Sequence, residues 1–407
     1  MSAAHGISAC RACGAPLGAV FCDLGRQPVA NSYLPDLSLA AEEPRFPLCA
    51  RVCTGCALVQ LDTVVDAAGI FTDYAYFSSA SDSWLAHAAA FTNAITARLG
   101  LTRGSFVVEV ASNDGYLLRN LVAAGIPCLG IEPAANVAAV AVAAGVPTEA
   151  RFFGLATAQD IVAARGHADL VVANNVLAHV PDINDFAAGL AHLAGLGGTV
   201  SIEAPHLLAL VDGVQFDTIY HEHYAYWSLS SMAALFARHG LGIASVEKLA
   251  THGGSLRVLA RAGALPDDAA AEVLAEEAAR GPELFQGFQP RVTEVLEGLR
   301  AWLAEQRAAG RRVAAYGAAA KGNTLLNAAG VTAADILAVA DRSPAKQGRL
   351  LPGSHIPVVT PEALLALAPD DILILPWNIG AEVTAQLRRA GFAGGLFTAV
   401  PAMRGWP

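Results

Sequence analysis

Val107-Val108-Glu109-Val110-Ala111-Ser112-Asn113-Asp114-Gly115 is the stretch whose reading decides the fold. Three valines around one glutamate make a short buried strand with an acid near its carboxyl end. Small and turn-forming residues follow and lead into a helical run over 116–124. The next strand, 128–132, ends on Glu132 about twenty residues further on, where a carboxylate can accept hydrogen bonds from both hydroxyls of a ribose. Further strands at 170–173 and 199–203 alternate with helical segments, as in a mainly parallel sheet covered on both faces. After a helix over 230–239, the runs 242–249 and 255–261 read as a hairpin joined by Ala250-Thr251-His252-Gly253-Gly254.

The loop composition selects the ligand. A dinucleotide site would carry Gly-x-Gly-x-x-Gly to lay backbone N–H groups against a pyrophosphate. Here Ala111 and Asn113 occupy the first two glycine positions, before Gly115, and Glu109 puts negative charge where the pyrophosphate would lie. This suits a cationic ligand without phosphates, such as the sulfonium S-adenosylmethionine (SAM). Asn174 and Asn175, after the third strand, suit its adenine or amino-acid tail, and His179 packs beside it. An NAD-type site with an altered loop is the alternative.

Outward from this domain the texture changes. Cys10-x-x-Cys13 and Cys53-x-x-Cys56 can place four thiolates on one tetrahedral zinc, so residues 1–66 read as a metal-stapled module attached to the enzyme. A dithiol redox pair is the bland alternative; Cys22, Cys49 and Cys128 read as ordinary thiols. The bridge to the first domain carries Phe71-Thr72-Asp73-Tyr74-Ala75-Tyr76-Phe77-Ser78-Ser79, too aromatic for an idle linker. The 407 residues allow two or three domains, and the net charge of −10 argues against a polyanionic partner such as nucleic acid. With no long uncharged apolar run and no basic leader, the chain is expected in the cytoplasm, away from membranes, with a monomer as the starting assumption.

Past Glu203 the chain departs from the alternating pattern. Segment 204–228 holds Tyr220-His221-Glu222-His223-Tyr224-Ala225-Tyr226 and would cover the pocket at the sheet's carboxyl edge. A histidine there suits a general base, a neighbouring carboxylate can fix its tautomer, and a tyrosine can donate to a developing oxyanion. In an extended segment, His221 and His223 would share a face as metal ligands; a satisfied structural histidine is the bland reading for one of them. His252 reaches the pocket from the hairpin. Residues 266–310 read as one or two long helices. A second α/β unit follows, with strands at 313–316, 336–341, 356–359 and 371–375. Its Tyr316-Gly317-Ala318-Ala319-Ala320-Lys321-Gly322-Asn323 run, with Asp341 and Trp377 at later strand ends, can hold a phosphate or pyrophosphate on helix N–H groups and one lysine. The alternatives are an NAD site or an unliganded lobe.

Together these motifs, with Leu24-Gly25-x-x-Pro28-x-Ala30-Asn31, Gly130-Ile131-Glu132-Pro133 and Thr251-His252-Gly253-Gly254-Ser255, resemble the SAM-dependent sugar C-methyltransferases of nucleotide-linked deoxysugar biosynthesis over nearly the whole chain. The resemblance implies a zinc-binding module (1–66), a class I methyltransferase domain with a Rossmann-like α/β fold (67–264), and a helical connector with a smaller Rossmann-like nucleotide-sugar domain (265–407). It implies methylation at C3 of a 4-keto deoxysugar carried on a nucleoside diphosphate, commonly dTDP, in deoxysugar and antibiotic biosynthesis. His223 is then the base, supported by Tyr220 and Glu222 with Tyr76 over the site. Glu109, Ala111, Asn113, Gly115, Glu132, Pro133, Asn174, Asn175 and His179 line the cofactor. Tyr224, His252, Gly254, Tyr316, Lys321, Asn323, Asp341 and Trp377 meet the substrate, and Cys10, Cys13, Cys53 and Cys56 hold structural Zn2+. An O- or N-methyltransferase, an NAD-dependent nucleotide-sugar enzyme, and a zinc-ribbon binding module on an inactive lobe are the competing functions.

Overall fold

The computed structural model describes residues 4–65 and 77–407. Tyr76 and its neighbours in the aromatic bridge lie outside the described residues. A seven-stranded sheet forms the middle of the molecule, in the order Leu241–Leu249, Ser255–Ala262, Thr199–Pro205, Leu170–Asn174, Val107–Val110, Cys128–Ile131, Thr148–Glu149. The last five strands in that order pair in parallel. Ser255–Ala262 inserts antiparallel between Thr199–Pro205 and Leu241–Leu249. The order reverses between Val107–Val110 and Leu170–Asn174, so a ligand crevice opens beyond their carboxyl ends.

The hairpin forms as the sequence indicates, and the run read as one or two long helices forms two, Asp268–Arg280 and Phe288–Ala308. The first helix is less a connector than a flank of the middle domain. Its buried Glu277 bonds His206 at 2.8 Å and accepts the backbone N–H groups of Leu229 and Ser230. The C-terminal domain is a six-stranded sheet ordered Val358–Val359, Val339–Ala340, Val313–Tyr316, Asp371–Ile374, Gly395–Thr398, Arg404–Trp406. Its loops after Val313–Tyr316 and Asp371–Ile374 touch: a Cβ on Gly317 (φ 92°) would fall 2.4 Å from Pro376 Cδ.

The N-terminal module is not a loose attachment. Its sheet gains a fourth strand, Ala225–Tyr226, from the histidine-bearing segment of the middle domain. One apolar cluster joins Phe21 and Leu48 of the module, Phe216 and Ile219 of that segment, and Leu325 and Leu373 of the C-terminal domain. Phe21 stacks on Phe288 at 4.4 Å between ring centres, each ring contributing ~1.5–3 kcal/mol by burial. The three parts therefore close on one another around the middle sheet's carboxyl edge.

Candidate active site and metal centre

The four cysteine sulfurs lie within 4.8 Å of one another. Cys10 and Cys56 Sγ are 3.7 Å apart and Cys13 and Cys53 Sγ 3.4 Å, near the roughly 3.8 Å edge of a tetrahedron with Zn–S bonds of about 2.3 Å. Gln60 Nε2 donates to Cys10 Sγ at 3.0 Å, and the N–H groups of Gly55 and Cys56 point at Cys53 Sγ from 3.3 and 3.4 Å. Donors aimed at sulfur favour thiolates, the form that binds zinc. Gly55 is required by close approach: a Cβ there would sit 2.8 Å from Ala15 Cβ. The alternative of a His-x-His metal pair, which lacked a third ligand in the sequence, finds no support in the geometry. The segment turns instead of running extended, and His221 Nε2 goes to the Pro47 carbonyl at 3.2 Å while His223 serves a different set of partners.

At the crevice, Ala111, Asn113 and Asn175 adopt left-handed backbone (φ 52°, 49° and 57°), the tight geometry that presents a loop to a ligand. Gly115 (φ 77°) has no room for a side chain, since its Cβ position is 2.9 Å from Val146 Cγ2. Glu132 accepts the N–H of Asn113 at 2.9 Å and of Ala134 at 2.8 Å, which fixes its carboxylate, with Pro133 completing the turn. Asn113 and Asp114 side chains accept the N–H groups of Ser78 and Ser79, pinning the aromatic bridge to this loop. Glu109 Oε2, Ser112 Oγ, Asn174 Oδ1 and both polar atoms of the Asn175 carboxamide are buried with no partner among the described residues. Orphaned polar atoms around a crevice fit a polar ligand such as SAM. Burial pushes the Glu109 carboxyl well above its usual range, and Glu132 and Asp114 push it further. A bound cation there would reverse that push.

Across the crevice lies His223. Its Nδ1 is 2.8 Å from the Thr218 carbonyl, so Nδ1 carries the proton and Nε2 the lone pair. The Tyr220 hydroxyl donates to Nε2 at 2.7 Å. Burial, with His179 next in effect, holds the ring well below the usual histidine range, so it is neutral at pH 7. The His179 ring meets His223 edge-on at 4.6 Å, so it links the Asn174–Asn175 loop to that imidazole. The tautomer is fixed by a backbone carbonyl, not by Glu222 as the sequence suggested. Glu222 instead accepts from Asn31 Nδ2 at 3.0 Å, and burial raises its carboxyl to about 7.

The remaining sequence candidates divide. His252 (φ 54°) packs against Trp84 at 5.2 Å, and burial lowers it to about 4. Lys321 lies in the first turn of the helix Ala320–Ala329. Its ammonium bonds Asn378 Oδ1 at 2.9 Å and lies 5.1 Å from the centre of the Trp377 ring. Trp377 Nε1 donates to buried Asp217 at 2.7 Å. A Cβ on Gly253, next to His252, would fall 2.4 Å from the Trp377 ring. His252, Trp377, Lys321 and Asp217 thus share one wall with Thr218 and His223. Asp341 holds the turn after its strand through the Ser343 N–H, 2.8 Å away.

Four candidates are corrected. Tyr224 is fully buried, its hydroxyl donating to the Val65 carbonyl at 2.8 Å and its ring under Arg11, so it fastens the module. Asn323 is buried against the Ala30 carbonyl at 3.3 Å. Gly254 is a packing glycine whose Cβ position is 2.5 Å from Ala209 Cβ. Tyr316 points to the far face of its sheet, into a separate cavity of about 690 Å³ with Arg342, Gln347 and Gln386. Sequence reading gave no site role to Asn31, Trp84 or Asp217, nor to a cluster around buried Glu203. There Glu203 accepts from His87 (3.0 Å), Arg257 (2.8 Å) and Thr251 (3.2 Å). Burial pushes the Glu203 carboxyl up, but His87 and Arg257 pull it below its usual range. Glu203 at a strand end was the available signal.

A class I methyltransferase sheet, a switch-point crevice lined with orphaned polar atoms and a four-cysteine zinc module define a zinc-bearing SAM-dependent methyltransferase. Family models agree: a zinc binding domain matches residues 10–71, a methyltransferase domain 84–246 and the C-methyltransferase C-terminal domain 250–401. C-methyltransferase NovU of Streptomyces niveus is 36% identical over 397 residues, covering 96% of this chain and 94% of that one. The chain belongs to this C-methyltransferase family, with SAM as methyl donor and zinc as its metal. Among solved structures, magnesium protoporphyrin IX methyltransferase (ChlM) of Synechocystis PCC 6803 with bound SAM is similar at 17% identity and TM-score 0.34, covering 47% of this chain and 88% of that one. A methyltransferase of Mesorhizobium loti is similar at 17% and TM-score 0.35, covering 44% and 99%. Among the described residues no helix is long and apolar enough to cross a membrane.

Proposed function

We propose that this enzyme methylates C3 of a 4-keto deoxysugar carried on a nucleoside diphosphate, with dTDP the leading carrier. The observation that carries the reading is the neutral His223, its Nδ1–H tied to Thr218 and its basic Nε2 turned toward Tyr220 beside the cofactor crevice. A methyl acceptor at oxygen or nitrogen brings its own lone pair; a carbon acceptor needs a proton removed first. The 4-keto group makes the C3 proton acidic, and the His223–Tyr220 pair collects it, leaving an enolate across C3, C4 and the keto oxygen.

SAM, when bound, supplies an electrophilic methyl group on a sulfonium. Glu132 holds the ribose hydroxyls, Glu109 and the Asn174–Asn175 pair surround the charged end, and the left-handed loop at Ala111 and Asn113 shapes the crevice around it. His179 sets the base against that crevice, so the nucleophilic carbon is generated beside its electrophile. Lys321, Asp341 and Trp377 hold the substrate from the C-terminal domain, and His252 holds it from the middle-domain hairpin. Incubation with SAM and a panel of 4-keto nucleotide sugars, read by mass, tests the reading. A gain of one methyl on carbon supports it; methylation confined to oxygen or nitrogen defeats it.

A further inference from the structure

Arg11 lies inside the zinc loop, between Cys10 and Cys13, and its side chain runs into the molecule. Nη2 donates to the carbonyl of Tyr224, the residue after His223, and the guanidinium stands 5.2 Å from the centre of the Tyr224 ring. Nη1 is buried with no partner among the described residues. Arg51 of the same module pairs with Asp62 at 2.9 Å, whereas among the described residues Arg11 meets no carboxylate. It meets Gln60 instead. The Gln60 side chain is fully buried, its Oε1 accepts from the Arg11 backbone N–H at 3.1 Å and from Nε at 3.4 Å, and its Nε2 donates to Cys10 Sγ at 3.0 Å. Gln60 also faces Ala225 in the ladder that joins the module to the histidine-bearing segment. The Arg11 and Ala12 carbonyls accept from Asn184 Nδ2 at 2.6 and 3.1 Å, so the backbone of the loop is held separately from the Arg11 side chain.

A guanidinium drawn out of water without an anion is strongly disfavoured, and zinc bound by four thiolates is a dianion. We propose that Arg11 is the counter-ion of that dianion and, through its bond to the Tyr224 carbonyl, the positioning residue by which the metal centre fixes the segment carrying His223. Gln60 joins the two ends. Its amide donates to the Cys10 sulfur, which favours the thiolate, and the same donation polarises the amide so that its carbonyl oxygen, facing Arg11, becomes the better acceptor. Charge at the sulfurs therefore holds the guanidinium, and the guanidinium holds a backbone carbonyl one residue from His223. The link is specific to a cation at position 11, unlike the shared strand and the apolar cluster, which any well-packed module would supply.

Competition for zinc against a chelator tests the counter-ion. Arg11→Met removes the charge and keeps a long side chain; the full-length variant is expected to hold zinc about 10–100-fold more weakly, the range for a lost outer-shell partner. Arg11→Lys restores the charge and is expected to recover most of that affinity. Wild-type affinity in Arg11→Met overturns the counter-ion, and equal losses in the two variants overturn the role of charge. Amide hydrogen exchange read by mass spectrometry, at saturating zinc, tests the positioning. Loss of a charged donor to the Tyr224 carbonyl is expected to speed exchange over 220–226 in Arg11→Met by about 10-fold or more, with the C-terminal sheet unchanged. Wild-type exchange over 220–226 overturns the positioning role. Gln60→Glu keeps the side-chain shape and guards against an Arg11→Met that does not fold. It sets a carboxylate where the amide donates to Cys10 Sγ, so zinc is held more weakly, while Arg11 keeps its acceptor and exchange over 220–226 stays at the wild-type rate. Unchanged zinc affinity in Gln60→Glu overturns the link from sulfur to Arg11. Neither measurement involves a methyl acceptor, so the outcome is independent of the sugar reading.

Discussion

The carboxamide of Asn31, on the zinc module, donates to Oε1 of Glu222 at 3.0 Å, one residue from His223, the base in the proposed reaction. Other contacts run the same way. Pro47 of the module receives His221, and Tyr33 donates to the Ala318 carbonyl at 2.5 Å in the loop before Lys321. The zinc module is thus a wall of the histidine-bearing segment.

Loss of that wall is measurable. Cys10→Ser combined with Cys53→Ser leaves two of four ligands, so bound zinc and thermal stability both fall. Because Asn31 and Pro47 lose their fixed positions, turnover is expected to fall more than SAM affinity. Metal analysis and calorimetric titration check this, and full zinc content in the double variant would falsify the four-cysteine site.

Glu132 is fixed by two backbone N–H groups before any ligand arrives, which is the preorganisation a ribose site needs. Glu132→Ala removes a charged acceptor, worth about 1.5–3 kcal/mol per hydrogen bond, so SAM should bind at least ~10-fold more weakly. It also frees the Asn113 N–H and loosens the loop. Titration of SAM into the variant measures the effect; wild-type affinity would refute the ribose assignment.

His223→Ala separates binding from chemistry. The cofactor residues lie on the middle sheet's loops, while His223 lies on the inserted segment. The variant is therefore expected to bind SAM and to lose solvent exchange at C3 by a factor of ~100 or more. Nuclear magnetic resonance in D2O follows the exchange directly. Unchanged exchange would move the base to another group, with His179 the nearest imidazole at 4.6 Å.

What was legible in the sequence follows from how local the signal is. The loop after Val107–Val110, the four cysteines and the strand–helix alternation are short-range patterns and form close to where they were read, except that the strands read at 336–341 and 356–359 shrink to Val339–Ala340 and Val358–Val359. His223 stood out as a candidate because histidines and tyrosines crowd one short segment. Its tautomer did not, because the Thr218 carbonyl is five residues away across a turn, and a carboxylate nearer in sequence looked the better partner. Tyr224 and Asn323 belong to motifs but are spent on fastening the module, a long-range contact no periodicity announces. Tyr316 shows the remaining limit: one residue in a strand decides which face a side chain takes, and here it takes the face away from the cleft. The contacts of Glu203 with His87 and Arg257 span 116 and 54 positions, so only the strand-end glutamate itself was visible locally.

His221 makes the fold sensitive to acid in a defined window. Its side chain is fully buried against Phe46 and the Pro47 carbonyl, and burial lowers it to about 4 from an ordinary value near 6.5. Between those values the unfolded chain binds a proton that the folded chain refuses. The stability from keeping the ring neutral is therefore present above pH ~6.5, declines by about 1.4 kcal/mol per unit as pH falls, and stops changing below pH ~4. The total from this one ring is about 3 kcal/mol. His179 and His252, also lowered to about 4 by burial, add slopes of the same sign. Replacing His221 with glutamine, which cannot take up a proton, should cost stability at pH 7 yet flatten the decline between pH 6.5 and 4 by roughly one proton. Urea unfolding at several pH values measures both slopes. Parallel slopes for the two proteins would show that His221 titrates normally in the folded chain, and would place the acid sensitivity elsewhere.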